Sequence, residues 1–595
     1  MFSRHFLVSP LILILFLCNT AKIYSEEIWF GELNNTKPLS ENCSMELVSS
    51  IYKSINNKNK SISHNLDIKN NYPNIIFISA SDGKTTAYTG IGSGKNLIAA
   101  TENSLENLYS ILPVTFRVKW LKVDIVKNAE LIKNYSFNQK LEIDPTLSGI
   151  AFNPNSGIAL LPEELVARVI VNTGKVNRYS MVNYLNNKPN RYRSFDGIDY
   201  WGNNELYTFK TDSYFYDGEN LKKLYRGHDT NIDTDPGTLL YSAILAGNYL
   251  KHSILPDGSY IYRYLPEADI VANDYNILRH AGATNSMLEL YEITGDKELL
   301  EKARLSIGYI QRFTKECRID GVPYQCVVDE PEYLVKLGGN ALAAIVISKY
   351  IQVSNDTTLL PFLEKVVKYI TYSQKDNGNF YPHIVEFYTG TIRNSESVYY
   401  PGEAMLALLM TYKINKDPGL LQSAEKAADY IINVRDKDKT VDDINHDHWF
   451  IYAVNELYRI DKNQVYLNHA YKIADAMVKR QTLNSDFPDY IGSFSGSLGS
   501  TSAATRSEAL FTVFNLAQYA GDNKRAEKYL KSLKKGVKFQ LVNQYVPETV
   551  IYMRDPQQAL GGFKGSYYSG EIQNDYVQHN LLSIIGLYKI LIRSK

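Results

Sequence analysis

Two segments read together decide the fold: residues 297–310, Lys-Glu-Leu-Leu-Glu-Lys-Ala-Arg-Leu-Ser-Ile-Gly-Tyr-Ile, and residues 341–347, Ala-Leu-Ala-Ala-Ile-Val-Ile. At 3.6 residues per turn the first puts Leu299, Leu300, Ala303, Ile307 and Ile310 on one face and Lys297, Glu301, Lys302 and Arg304 elsewhere, so it needs protein on one side and water on the other. The second is apolar all round, which is how a helix reads when protein surrounds it. One-sided and all-apolar helices in alternation predict two concentric layers.

The same alternation runs outward from these segments. Residues 465–480 and 522–538 are one-sided, the latter with Lys524, Arg525, Lys528, Lys531 and Lys534 outside. Ala404-Met-Leu-Ala-Leu-Leu-Met and Leu581-Leu-Ser-Ile-Ile-Gly-Leu-Tyr are apolar all round. Helix starts fall near Gly237, Tyr275, Asp296, Gly339, Thr358, Gly402, Pro418, His448, Val465, Arg506, Asp522 and Val577. They number twelve, as a closed ring of six hairpins requires, with the inner six starting near 275, 339, 402, 448, 506 and 577. Asp257-Gly-Ser-Tyr-Ile-Tyr-Arg-Tyr reads as an extended excursion at the rim.

Upstream the period changes. Ile75-Ile-Phe-Ile, residues 116–126 and residues 207–216 alternate as strands, residues 96–111 have helical spacing, and Gly149-Ile-Ala leads to a helix start at Pro162. The expected fold is mainly α: a C-terminal (α/α)6 toroid of six helical hairpins over 233–595, preceded by a smaller α/β domain over 73–232. Residues 26–72, rich in Asn, Ser and Lys, read as a loosely ordered lead-in. Residues 1–25 read as a signal peptide, with Arg4 and His5 before an apolar run over 6–17 that falls short of the ~20 residues a spanning helix needs. Export to the periplasm or medium is therefore expected, with no membrane span in the mature chain. The bulky Leu17 before Cys18 argues against a lipid anchor.

Bulk properties narrow the function. Lys plus Arg and Asp plus Glu both number 64, so no net field draws nucleic acid. The 46 tyrosines suit either a sugar cleft, through their flat faces and hydroxyls, or merely a biased composition. Gly92, Gly94 and Lys95 lack the full spacing of a phosphate loop and read as a tight turn. Cys317 and Cys326 bracket a turn-rich octapeptide, which in an exported protein predicts a disulfide, with free thiols as the alternative.

Inner helices of such a ring run parallel, so their N-termini, with free N–H groups and positive dipole ends, meet at one mouth. The segments entering them carry the unusual polar residues: Asp274, Tyr275, Arg279 and His280; Asn340; Tyr400 and Glu403; Asp447, His448 and Trp449; Arg506 and Glu508; and Asp575, Tyr576 and His579. Capping by Asp274, Thr505 or Asp575, dipole complementation by Glu403, and pairing of Arg279 or Arg506 with acids are the structural alternatives.

The paired helices, the Gly338-Gly339 and Pro401-Gly402-Glu403 segments and the Asp575-Tyr…Gln578-His579 ending resemble the six-hairpin glycosidase and (α/α)6 toroid superfamily of carbohydrate-active proteins over residues 235–595. The resemblance is architectural. It implies a mouth binding an oligo- or polysaccharide, with two acids or histidines moving protons. The leading reading is glycoside hydrolysis, with Glu403, Glu508, Asp274, His280 and His448 as catalytic candidates and Arg279, Asn340, Tyr400, Asp447, Trp449, Arg506, Tyr576 and His579 as substrate-binding ones. An acid at a helix N-terminus is better suited to be a base than a donor, which leaves Glu508, deeper in its helix, as the candidate donor. A second reading is sugar epimerisation or polysaccharide elimination with a histidine base, Arg279 neutralising a uronate or enolate. A third is a non-catalytic toroid binding a glycan or protein. No metal and no cofactor is expected, because Cys317 and Cys326 lie away from the mouth and no His/Cys constellation is evident.

Overall fold

The computed structural model describes residues 30–33, 38–58, 72–152, 158–186, 205–229, 231–319, 322–330, 332–494 and 496–593. The expected signal segment and Cys18 lie outside them. Among the described residues no helix is long and apolar enough to cross a membrane.

The N-terminal part is built on an antiparallel sheet. Its strands are β1 (Asn74–Ser81), β2 (Tyr88–Gly94), β3 (Trp120–Ile132), β4 (Gly149–Phe152), β5 (Ala159–Leu160), β8 (Leu206–Tyr216), β9 (Leu221–Tyr225) and β10 (His228–Asp229), ordered β10-β9-β8-β3-β1-β2 with β4 attached to β8 and β5 to β4; β6 (Val171–Asn172) and β7 (Lys175–Val176) form a separate hairpin. Helices α1 (Glu41–Asn57) and α2 (Leu97–Tyr109) bury one face of it, and α3 (Pro162–Ala167) and α4 (Arg178–Asn186) lie near β4 and β5. Helix α1 falls within the stretch read as a loose lead-in. Leu47, Val48, Ile51 and Ile55, at helical spacing, lock it onto the sheet core. The glycines of the supposed turn are instead inside β2: a Cβ at Gly92 would run into the backbone of Ala100 and Ser104, so the run lets α2 lie close on the strand.

The ring follows. Its inner helices are α6 (Ile277–Thr294), α8 (Leu337–Ser354), α10 (Tyr400–Asn415), α12 (His448–Asp461), α14 (Ser500–Tyr519) and α18 (Asn574–Arg593). Each packs on the next, and α18 packs back on α6, closing the circle. Outside them lie α5 (Pro236–Ser253), α7 (Lys297–Arg312), α9 (Leu360–Tyr372), α11 (Pro418–Tyr430), α13 (Gln464–Lys479) and α15 (Asn523–Val542), with two single turns, α16 (Pro547–Val550) and α17 (Pro556–Ala559), before α18. The protein is thus an (α/α)6 toroid preceded by a sheet-rich region. In α7 the side chains of Leu299, Ala303, Ile307 and Ile310 are buried, each Leu or Ile contributing roughly 2 kcal/mol. In α8 every residue from Leu337 to Ile351 is buried, as its composition demanded.

The two ends of the ring differ. Inner helices hand over to outer ones through short turns: a left-handed C-cap residue followed at once by an Asp or Asn N-cap at Gly295-Asp296, Asn355-Asp356, Lys416-Asp417 and Lys462-Asn463. At the opposite end the described residues within 254–276, 313–336, 373–399, 431–447, 480–499 and 543–573 form long connections around the inner N-termini. They carry small sheets: β11 (Arg263–Leu265) and β12 (Ile270–Val271) with β17 (Ile572–Gln573), and β13 (Thr314–Ile319), β14 (Val322–Asp329), β15 (Leu334–Lys336) and β16 (Ile384–Glu386). The expected disulfide is absent from the β13–β14 hairpin, where Cys317 and Cys326 are free thiols. The register sets Cys317 opposite Tyr324 and Cys326 opposite Lys315, so the two cysteines are diagonal rather than paired.

The N-terminal sheet seats on this same end, beside the last two hairpins. Ala87 N–H donates to the Ile551 carbonyl (2.9 Å), Tyr552 O–H to Ser79 Oγ (2.8 Å), Lys222 pairs with Glu548 (2.8 Å), and Arg226 pairs with Asp489 (3.1 Å).

Candidate active site at the mouth of the ring

Local signals place the deepest residues. Asp447 caps α12, its Oδ1 accepting from Phe450 N–H (3.0 Å), which sets His448 in the first turn. Helix α14 starts at Ser500, six positions before the start expected at Arg506, so Glu508 sits more than two turns in and points to the lumen. His579 comes from the second turn of α18. These three meet. The His579 Nδ1 lies 2.7 Å from Glu508 Oε1, Tyr452 O–H donates to Glu508 Oε2 at 2.8 Å, and the His448 and His579 rings are 5.3 Å apart at 80°. Trp449 packs beside both histidines.

Burial governs their charge. It pushes Glu508 up to about 8 against the opposing pull of His448 and Tyr452, and pushes His448 and His579 down to about 3. At neutral pH the trio therefore carries a proton on Glu508 and two neutral imidazoles. Neither ring nitrogen of His448 has a hydrogen-bond partner. His448, Glu508 and His579 also form the one group among the described residues whose ligand atoms, all within 4.8 Å, could surround a metal ion. Glu508 Oε1 and His579 Nδ1 are hydrogen-bonded to each other, so an ion bound through those two atoms would displace that bond.

A second set faces the same space. The Arg279 side chain is 41% exposed, opens into the mouth, and lies 3.7 Å from Asp575. Its positive charge acts on Glu403, His448, His579, Tyr399 and Tyr400, which marks it as the electrostatic centre of the pit. Glu403 is buried with Oε2 unpartnered, and burial holds its carboxyl at about 8, with Arg279 pulling down and Asp447 pushing up. A Cβ on Gly338 would collide with Glu403 Oε2 and Tyr400, so this glycine makes the space that both occupy. Asp447 is held at about 7 by burial, opposed first by Arg435, which is 3.8 Å from its free Oδ2.

Other expected members are bonded into the surrounding walls, although the Arg506 charge also acts on His448 and Tyr399. His280 faces α7: its Nδ1 meets Tyr275 Oη at 2.6 Å and its Nε2 meets Ser306 Oγ at 2.7 Å, making it a satisfied core residue. Asn340 pins β14, accepting from Val327 N–H (2.8 Å) and donating to the Lys336 carbonyl (2.9 Å). Asp274 pairs with Arg263 at the exposed rim, and the cap of α6 is Asn276. Tyr576 donates to Glu571 (2.8 Å), and Arg506 donates to His446 (3.0 Å) and the Ser502 carbonyl (2.6 Å). The sequence reading missed Tyr452, although it stands one helical turn below His448 on the same face, and it missed Gly338 as the residue that admits Glu403.

No protein-family model matches the chain, and no curated protein sequence does. Among solved structures it is similar to the GH76A alpha-1,6-mannanase from Salegentibacter sp. HEL1_6 (14% identity, TM-score 0.44, covering 60% of this chain and 100% of that one). It is likewise similar to a sugar epimerase from a ruminal bacterium (14%, 0.44, 60% and 98%) and to a D-mannose isomerase (13%, 0.45, 60% and 97%). At such identity the likeness is one of fold alone.

Proposed function

We propose that the chain is a carbohydrate-active enzyme whose mouth moves a proton at a sugar carbon next to a carboxylate, giving epimerisation or elimination. The observation that carries this reading is His448: a buried imidazole, neutral at neutral pH, with both nitrogens free of partners, beside an arginine that opens into the pit. Such a ring is suited to take a proton from carbon. Arg279 would hold the uronate and stabilise the enolate-like anion left behind. The Glu508 O–H bonded to His579 Nδ1 supplies a relay, through which His579 Nε2–H would return the proton. Delivered to the opposite face of the same carbon it inverts the centre; delivered to the departing oxygen it completes elimination and leaves a C=C bond.

Glycoside hydrolysis is the second reading, favoured by one feature: Glu403, held at about 8 in front of Gly338, would keep the proton that a leaving oxygen requires. Incubation of the purified chain with a panel of neutral and acidic glycans separates the two. Altered epimer ratios, or new absorbance from unsaturated products, lost in His448→Ala, support the first reading. New reducing ends without absorbance, lost in Glu403→Gln and kept in His448→Ala, overturn it in favour of the second.

A further inference from the structure

Of the eight exposed aromatic residues from Pro236 onward among the described ones, only Tyr241 and Tyr519 lie away from the mouth end. The rest cluster, and two clusters stand out. Tyr333 and Tyr388, 36% and 70% exposed with ring centroids 5.0 Å apart, project from the connections feeding α8 and α10. Lys315 lies 5.4 Å from the Tyr333 ring centroid. Tyr568, 72% exposed, projects from the connection feeding α18, and its hydroxyl bonds that of Tyr490 (2.9 Å), from the connection feeding α14. Tyr490 is in turn packed by Phe487 and by the Arg226 guanidinium.

In the ring order α6, α8, α10, α12, α14, α18, the pair α8/α10 is three places from the pair α14/α18. The two tyrosine platforms therefore stand on opposite sides of the circle, with the pit of Arg279, His448 and His579 between them. Packed neighbouring helices lie 8–10 Å apart, so opposite members of the inner six are separated by about 20 Å. That is a longer reach than a single sugar ring offers. Tyrosine faces at both rims, a lysine on one of them and an arginine at the centre match flat, hydroxylated, negatively charged units joined in a row.

We infer that the mouth takes an acidic polysaccharide lying across it, bound at Tyr333/Tyr388 on one side and at Tyr568 on the other, rather than a free monosaccharide. This rests on the proton-transfer reading of the pit, which sets where the reacting unit sits. The test uses the intact chain with size-graded oligosaccharides of polygalacturonate, alginate and hyaluronan, and measures direct binding and turnover separately. For the glycan that binds, the hexasaccharide should bind at least tenfold more tightly than the disaccharide. Tyr333→Ala/Tyr388→Ala and Tyr568→Ala should each remove most of that gain while leaving melting temperature and disaccharide binding unchanged. Turnover with no dependence on length, loss of disaccharide and hexasaccharide binding alike, or no binding of any of the three overturns the inference. Length-dependent binding without turnover leaves it standing and overturns the proton-transfer reading instead.

Discussion

His579 Nδ1 and Glu508 Oε1, 71 positions apart in the chain and on different inner helices, are 2.7 Å from each other and both buried. Which of them holds the shared proton depends on Glu508, whose carboxyl keeps its proton up to about pH 8. Below that, Glu508 O–H donates to Nδ1 and His579 carries its own proton on Nε2; above it, His579 Nδ1–H donates to the carboxylate and Nε2 becomes a lone pair. Activity that uses the Nε2–H should fall as pH rises through about 8. Glu508→Gln keeps the shape and the Tyr452 contact but removes the transferable proton, so kcat should drop ~10²–10⁴-fold and the alkaline limb should vanish. A pH–rate profile of the variant checks this; an unchanged limb near 8 would assign it to another group.

The His448 ring makes no hydrogen bond, so deleting it orphans no partner. His448→Ala should abolish turnover while lowering the melting temperature only slightly, leaving a cavity whose cost is partly relieved by water. Thermal unfolding alongside the glycan assay reads both. A large destabilisation would show that the ring is held there for packing.

His280 should behave in the opposite way. His280→Ala removes a buried ring bonded to Tyr275 and Ser306 and should cost roughly 2–4 kcal/mol, while the protein that remains folded keeps its activity. Denaturant unfolding and the specific activity of the folded fraction measure this. A stable but inactive variant would return His280 to the site.

Glu403 links function to stability. Its folded carboxyl titrates near 8, above the usual value of 4.5, so the folded form binds a proton that the unfolded chain has already lost. That contribution is complete below about 4.5 and is lost as pH rises through about 8. Glu403→Gln escapes the loss. Its melting temperature relative to the parent should rise between pH 5 and pH 9. Melting curves at the two pH values decide; a variant less stable at pH 9 than at pH 5, relative to the parent, would mean Glu403 is ionised and held by Arg279.

Gly338→Ala adds one carbon where Glu403 and Tyr400 already sit. Overpacking of this kind costs about 1–3 kcal/mol, and here it should also displace Glu403 and reduce turnover at least tenfold. Gly339→Ala, whose added carbon would meet only Leu278 and Ile277 side chains at 3.3 Å or more, serves as the neighbouring control and should affect turnover little.

The sequence by itself determined the ring. Apolar periodicity is a local property, so Leu299, Ala303 and Ile307 announced an outer helix and the unbroken apolar run of 341–347 an inner one without knowledge of any neighbour. Helix direction and order then required that the inner N-termini share one end. Which side chains point into the pit was decided only by the tertiary structure. Successive residues on a helix differ by about 100° in direction, so Arg279 faces the mouth while His280, the next residue, faces α7. The start of α14 at Ser500 rather than near Arg506 sets Glu508 more than two turns into its helix, deeper still than its sequence position implied, and α1 acquired its partner only when the sheet formed beneath it. The pairing of Glu508 with His579, and the proton they share, exists because α14 and α18 close the circle side by side, a contact between segments whose local sequences say nothing of each other.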